Sequence, residues 1–133
     1  MNILLIEDDA IESMKVNRVA SQVSPSFTIT EAKNGEEAMN LLVSKVIFPD
    51  VILLDLNMPR MSGIEFLRKM RQNDKLKHIP TVILTTSENR KDLVECYSIG
   101  ISGYIVKPLS LNDYQTRLRR LLNYWEVNSF IRA

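Results

Sequence analysis

Three short runs without a polar residue, Ile3-Leu4-Leu5-Ile6, Val51-Ile52-Leu53-Leu54 and Val82-Ile83-Leu84, most limit what this chain can fold into. Successive side chains of a strand point to opposite faces, so a strand with one wet face alternates apolar and polar residues. Unbroken apolar runs of this length predict strands covered on both sides, as in a parallel sheet between layers of helices. Phe27-Thr28-Ile29-Thr30 does alternate, which suits a half-exposed edge strand, and Tyr104-Ile105-Val106 gives a short fifth strand.

The intervening stretches carry apolar residues at helical spacing: Ile11, Met14, Val19 and Val23; Ala38, Leu41 and Leu42; Ile64, Leu67 and Met70; Leu93, Val94 and Tyr97. A longer amphipathic helix follows on Leu111, Tyr114, Leu118, Leu121, Leu122 and Trp125. The order is strand then helix, five times, and right-handed crossovers turn it into an open doubly wound α/β sandwich with a five-stranded parallel sheet. With 133 residues and no Pro/Gly/Ser linker, repeat or low-complexity segment, the chain reads as a single domain. A net charge of +1 offers no bulk field for nucleic acid or an anionic membrane. The lone Cys96 excludes an internal disulfide, and the chain starts on a strand instead of a signal or membrane segment, so a cytoplasmic location is expected.

Ligands of doubly wound sheets bind beyond the carboxyl ends of the strands. There the first strand ends in Glu7-Asp8-Asp9, the third in Asp55, the fourth in Thr85-Thr86-Ser87 and the fifth in Lys107-Pro108. Crowded carboxylates repel, and the usual remedies are a shared proton or a hard cation with oxygen ligands. Mg2+, typically held by one or two carboxylates and by phosphate oxygens, fits Asp8 and Asp55. Lys107 would meet a phosphoryl oxygen, Thr85 would donate beside it, and Asp55 is left as nucleophile.

These residues resemble the receiver domains of bacterial two-component response regulators, over Asn2 to about Trp125. The matching pieces are L-L-I-E-D-D, L-L-D-L-N-M-P around Asp55 with Gly63 eight residues on, I-L-T-T, and S-G-Y-I-V-K-P, with 22 positions from Thr85 to Lys107. The resemblance implies a flavodoxin-like (βα)5 fold of strand order 2-1-3-4-5 and a domain over 1–125, with 126–133 as a C-terminal tail and no output domain. It implies Asp55 as phosphoacceptor, Asp8 as direct metal ligand, Glu7 as ligand through water, the Asn57 backbone carbonyl completing the metal shell, Thr85 as switch hydroxyl, Tyr104 as switch aromatic and Lys107 as the phosphoryl-binding lysine. Mg2+ is the implied cofactor. The implied partners are a sensor histidine kinase or histidine phosphotransfer protein as donor and a downstream protein target.

Such a switch would catalyse its own phosphorylation and dephosphorylation and signal through the face of the fourth helix, fifth strand and fifth helix. The L-T-T-S run and the Trp-bearing end look most like single-domain receivers associated with bacterial phytochromes, many of which self-associate, so the tail is expected to make a homodimer or to pack on its own domain. The resemblance also suggests a cis Lys107-Pro108 bond, against the trans preference of most X-Pro bonds. Thr86 departs from the Ala or Gly of many receivers, and its bulk would narrow access to the phosphoryl group. Asp9 reads as a helix N-cap, Cys96 as a small buried hydrophobe, His78 as a loop residue, and Tyr104 has a second reading as a half-buried strand aromatic.

Other functions fare worse. A haloacid-dehalogenase-type phosphatase needs a second Asp two residues after the nucleophile, where Asn57 stands, and a dinucleotide-binding turn needs glycines where Glu7-Asp8-Asp9 stand. The remaining rival is an adaptor of the same fold that binds partners without phosphorylation, whose usual sign, loss of the acidic pair, acceptor or lysine, is missing here.

Overall fold

The computed structural model describes residues 1–131 and has the expected order: β1 (Asn2–Ile6), α1 (Ala10–Val23), β2 (Thr28–Ala32), α2 (Gly35–Val43), β3 (Val51–Leu54), α3 (Gly63–Gln72), β4 (Thr81–Thr85), α4 (Arg90–Ile99), β5 (Gly103–Val106) and α5 (Leu111–Glu126). The five strands form one sheet in the order β2-β1-β3-β4-β5, and all four pairings are parallel.

The apolar runs divide between two cores as period-two geometry requires. Leu4, Ile6, Ile52, Leu54 and Ile83 face a layer of α2, α3 and α4 through Ala38, Leu42, Phe66, Leu67, Met70 and Cys96. Ile3, Leu5, Val51, Leu53, Val82 and Leu84 face α1 and α5 through Val16, Val19, Ala20, Leu118, Leu122 and Trp125. All four residues of β3 are wholly buried. Each such side chain contributes roughly 1.5–3 kcal/mol relative to exposure, and their sum lets the sheet carry a buried charged pair, which costs several kcal/mol per ion, at its edge.

Each helix starts on a side chain that caps it: Asp9, Asn34, Ser62, Asn89 and Ser110 accept from backbone N–H groups of the first turns. Asp9 is the cap the sequence suggested, its Oδ1 accepting from the Ile11 N–H at 2.8 Å. Gly100 ends α4 at φ 124°, a conformation that favours glycine.

Three expectations need correction, and one open alternative is decided. Ile11 and Met14 are 65% and 67% exposed, because the buried stripe of α1 runs through Ser13, Val16, Val19 and Ala20 on the other side of the helix. Val94 and Tyr97 of α4 are also about half exposed, and Cys96 is that helix's one fully buried residue. The second strand begins and ends later than its alternating run, since its pairing with β1 continues through Glu31 and Ala32. The Lys107–Pro108 bond is trans, with no cis peptide among the described residues, as the ordinary preference of such bonds favours.

The tail packs on its own domain: Phe130 stacks on Trp125 with ring centroids 6.3 Å apart, and Trp125 meets Tyr124 edge-on at 5.2 Å. Tyr124, Val127 and Ile131 stay exposed, Glu126 belongs to α5, and residues 132–133 lie outside the described residues.

Candidate functional site

Backbone hydrogen bonding continues one residue past three of the strands and brings the predicted side chains to one edge. The Glu7 N–H donates to the Ala32 carbonyl at 3.0 Å, the Asp55 N–H to the Ile6 carbonyl at 3.0 Å, and the Lys107 N–H to the Thr85 carbonyl at 2.7 Å. The β3–α3 turn is closed by the Gly63 N–H on the Leu56 carbonyl at 3.1 Å.

At that edge Glu7, Asp8 and Asp55 each offer a carboxylate oxygen, all within 4.8 Å of one another. Glu7 is buried, Asp55 partly buried and Asp8 exposed. Lys107 donates to Glu7 Oε1 at 2.6 Å and lies 3.6 Å from Glu12 Oε2, its side chain 8% exposed. A hard-oxygen donor set of mixed exposure, with room for water on the Asp8 side, suits a divalent cation that keeps part of its hydration shell. Two surface depressions of about 240 and 290 Å³ lie elsewhere, one between α3 and α4 beside Arg68, Arg71 and Glu95, the other beside α2 and Arg60.

Burial pushes the Glu7 carboxyl up to about 7, more than its bond to Lys107 offsets, and Asp55 adds to the rise. Asp55 is raised too, first by burial, with Lys107 opposing. Burial would lower Lys107, yet the hydrogen bond and charge of Glu7, then Asp55 and Glu12, carry it above its ordinary value, so it stays a cation.

A pH dependence follows. The folded protein holds the Glu7 proton more tightly than the unfolded chain, so this stability is full below about 4.5 and lost as pH rises through about 7. Thermal unfolding in EDTA should show Tm falling across that window, and added Mg2+ should flatten the fall by replacing the proton. A metal-free Tm that rises across it would contradict the assignment.

Thr85 and Tyr104 are linked to each other, not to the carboxylates. Thr85 is fully buried, and its Oγ1 accepts from the Ser87 N–H at 3.2 Å. The half-buried Tyr104 donates its hydroxyl to the Ser87 carbonyl at 3.1 Å, which ties its ring to the loop after β4. Ser87 Oγ lies 2.7 Å from Asp92 Oδ2 in the first turn of α4. Asn57 is exposed, its N–H 3.5 Å from Asp55 Oδ1, a weak contact, and Thr86 is exposed at the end of β4. Sequence reasoning did not single out Ser87, Glu12 or Tyr114. An acid on the first turn after Glu7-Asp8-Asp9 was the available signal for Glu12, whereas Tyr114 reads as an ordinary apolar position of α5.

The fold and edge define a class: a doubly wound α/β protein with a strand-end acidic cation site faced by a buried lysine. Residues 3–119 match the response regulator receiver domain, and the chain belongs to that family, which serves two-component signal transduction. It is 33% identical over 128 residues to the response regulator Rcp1 of Synechocystis sp., covering 92% of this chain and 87% of Rcp1. The crystal structure of the Mn2+-bound form of Rcp1 superposes with a TM-score of 0.93 at 31% identity, over 98% of this chain and 99% of that one. The phosphorylated cyanobacterial phytochrome response regulator RcpA gives 0.92 at 27% identity, over 99% and 98%. Among the described residues no helix is long and apolar enough to cross a membrane.

Proposed function

We propose that the chain is a Mg2+-dependent phosphoacceptor switch in which Asp55 takes a phosphoryl group from a phosphohistidine. The observation that carries this is the meeting of Glu7, Asp8 and Asp55 within 4.8 Å beside a buried Lys107. Asp8, Asp55 and the Asn57 carbonyl would hold the ion, with Glu7 acting through water. Bound there, Mg2+ would neutralise charge on the phosphoryl oxygens. An Asp55 oxygen forms the new O–P bond as the donor N–P bond breaks, its electron pair leaving with the imidazole. The transition state is loose, so in-line placement and neutralisation supply most of the catalysis, and no general base is needed. Autodephosphorylation would use the same groups on water.

Lys107 leaves Glu7 for a phosphoryl oxygen, and the Thr85 hydroxyl is drawn toward another. Since Thr85 and Tyr104 share Ser87, and Ser87 reaches α4 through Asp92, that movement reaches the face of α4, β5 and α5. Exposed Val94, Tyr97 and Leu111 give it apolar area for a downstream protein target or a second copy. Likeness to the phytochrome response regulator RcpA supports a phytochrome-type histidine kinase, or a histidine phosphotransfer protein, as donor.

The test is intact-mass measurement after incubation with Mg2+ and acetyl phosphate. A Mg2+-dependent, acid-stable and base-labile gain of one phosphoryl mass supports the switch; no gain, and no response to beryllofluoride, supports the non-phosphorylated adaptor. Lys107→Ala should still take up some label, but phosphorylation should no longer change the amide exchange of α4. Label-dependent protection of α4 in that variant would remove Lys107 from the coupling.

A further inference from the structure

Tyr114 is 2% exposed, and its hydroxyl is the one buried side-chain polar atom without a hydrogen-bond partner among the described residues. It lies on α5 where that helix packs against α1, in the fields of Glu12, Glu7 and Asp55, in that order of strength. Burial and those charges raise its phenol, so it remains a donor. Glu12, on the first turn of α1, has Lys107 at 3.6 Å and Lys15 at 2.9 Å. Lys15 is 34% exposed, so solvent screens its hold, whereas Lys107 is nearly dry.

Lys107 is therefore bracketed by two carboxylates, Glu7 at 2.6 Å and Glu12 beyond it, while on α5, in the core packed against α1, a buried donor has nothing to bond among the described residues. Given the phosphoacceptor reading, Lys107 must leave this bracket for the phosphoryl oxygens. Glu7 would then face the hydration shell of the ion, but Glu12 is left partly buried with only the screened Lys15. An unmade hydrogen bond of a buried hydroxyl and an under-paired carboxylate both cost stability, and one bond between them removes both costs. We propose that Glu12 and Tyr114 are positioning residues that form a relay: Glu12 helps hold Lys107 in the unphosphorylated protein and passes to the Tyr114 hydroxyl when Lys107 moves to the phosphoryl group. The relay sits between α1 and α5, opposite the Thr85–Ser87–Tyr104 link, and it favours the phosphorylated state because only there is the tyrosine satisfied.

Tyr114→Phe, which removes only the hydroxyl, tests this in the full chain by titrating beryllofluoride with Mg2+ present and following Tm. The relay requires opposite signs in the two states. The free variant should melt no lower than wild type, having lost an unsatisfied donor, while its affinity for beryllofluoride should fall about tenfold, the size of one hydrogen bond to a charged group. In a Glu12→Gln background, where the tyrosine has lost its charged partner, Tyr114→Phe should cost little further affinity, as for two ends of one bond. Unchanged affinity in Tyr114→Phe, an equal shift of both states, or additive losses would overturn the relay while leaving the phosphoacceptor reading intact. A wild type that does not respond to beryllofluoride would overturn that reading and the relay with it.

Discussion

Asp55→Asn protein is expected to gain no phosphoryl mass from acetyl phosphate and Mg2+ under conditions that label the wild type, a loss of at least about a hundredfold in rate. The amide retains the size of the carboxylate but not its nucleophilic charge, and no other carboxylate takes its place. Glu7 is buried and held by Lys107, and Asp8 is exposed and free of that lysine. The fold should survive. Burial raises the Asp55 carboxyl, so ionised Asp55 is a strain on the metal-free protein, and the variant should melt no lower than wild type in EDTA. Intact mass reads the first expectation and thermal unfolding the second. A labelled Asp55→Asn protein would move the acceptor elsewhere, and a collapse in Tm would make Asp55 structural.

Gly63→Ala should bring the largest loss of stability of any single methyl added near the site. A Cβ there would stand 2.5 Å from the Asp55 carbonyl oxygen and 2.7 Å from Leu56 Cα, both backbone atoms that cannot swing aside. Either the start of α3 or the end of β3 has to move, at a cost of roughly 3 kcal/mol, which for a domain of this size is a fall of about 10 °C in Tm. The displaced backbone is that of Asp55 itself, so labelling should also slow beyond what lost folding explains. Gly103→Ala is the control: its added carbon would meet only the Val82 side chain, at 3.6 Å, and should cost under about 1 kcal/mol. Equal Tm values for the two variants would show that the β3–α3 turn yields more easily than its backbone contacts imply.

Much of the fold was legible because its strongest signals are local. Ile3–Ile6 and Val51–Leu54 have no polar face to offer water, so they had to be central, and Asp9 stands as a cap where α1 begins. The helix faces were less legible. Ile11 and Met14 are as apolar as any core residue, but α1 turns small Ser13 inward with Val16 and Ala20 and leaves them in solvent.

The sequence by itself determined the strand order's raw material and the residue types at the strand ends, because solvent exclusion and the period of a strand act within a few residues. It therefore put Glu7, Asp8, Asp55, Thr85 and Lys107 on one list of candidates. Only the tertiary structure decided which of them touch: Lys107 on Glu7 across 100 positions of chain, and Thr85 joined with Tyr104 through Ser87. It alone also brought Glu12 to within 3.6 Å of Lys107 and left the buried Tyr114 hydroxyl without a hydrogen-bond partner among the described residues. The reason is physical: the charge on a buried side chain is governed by neighbours that crossover connections bring from distant parts of the chain, and no local pattern encodes their distances.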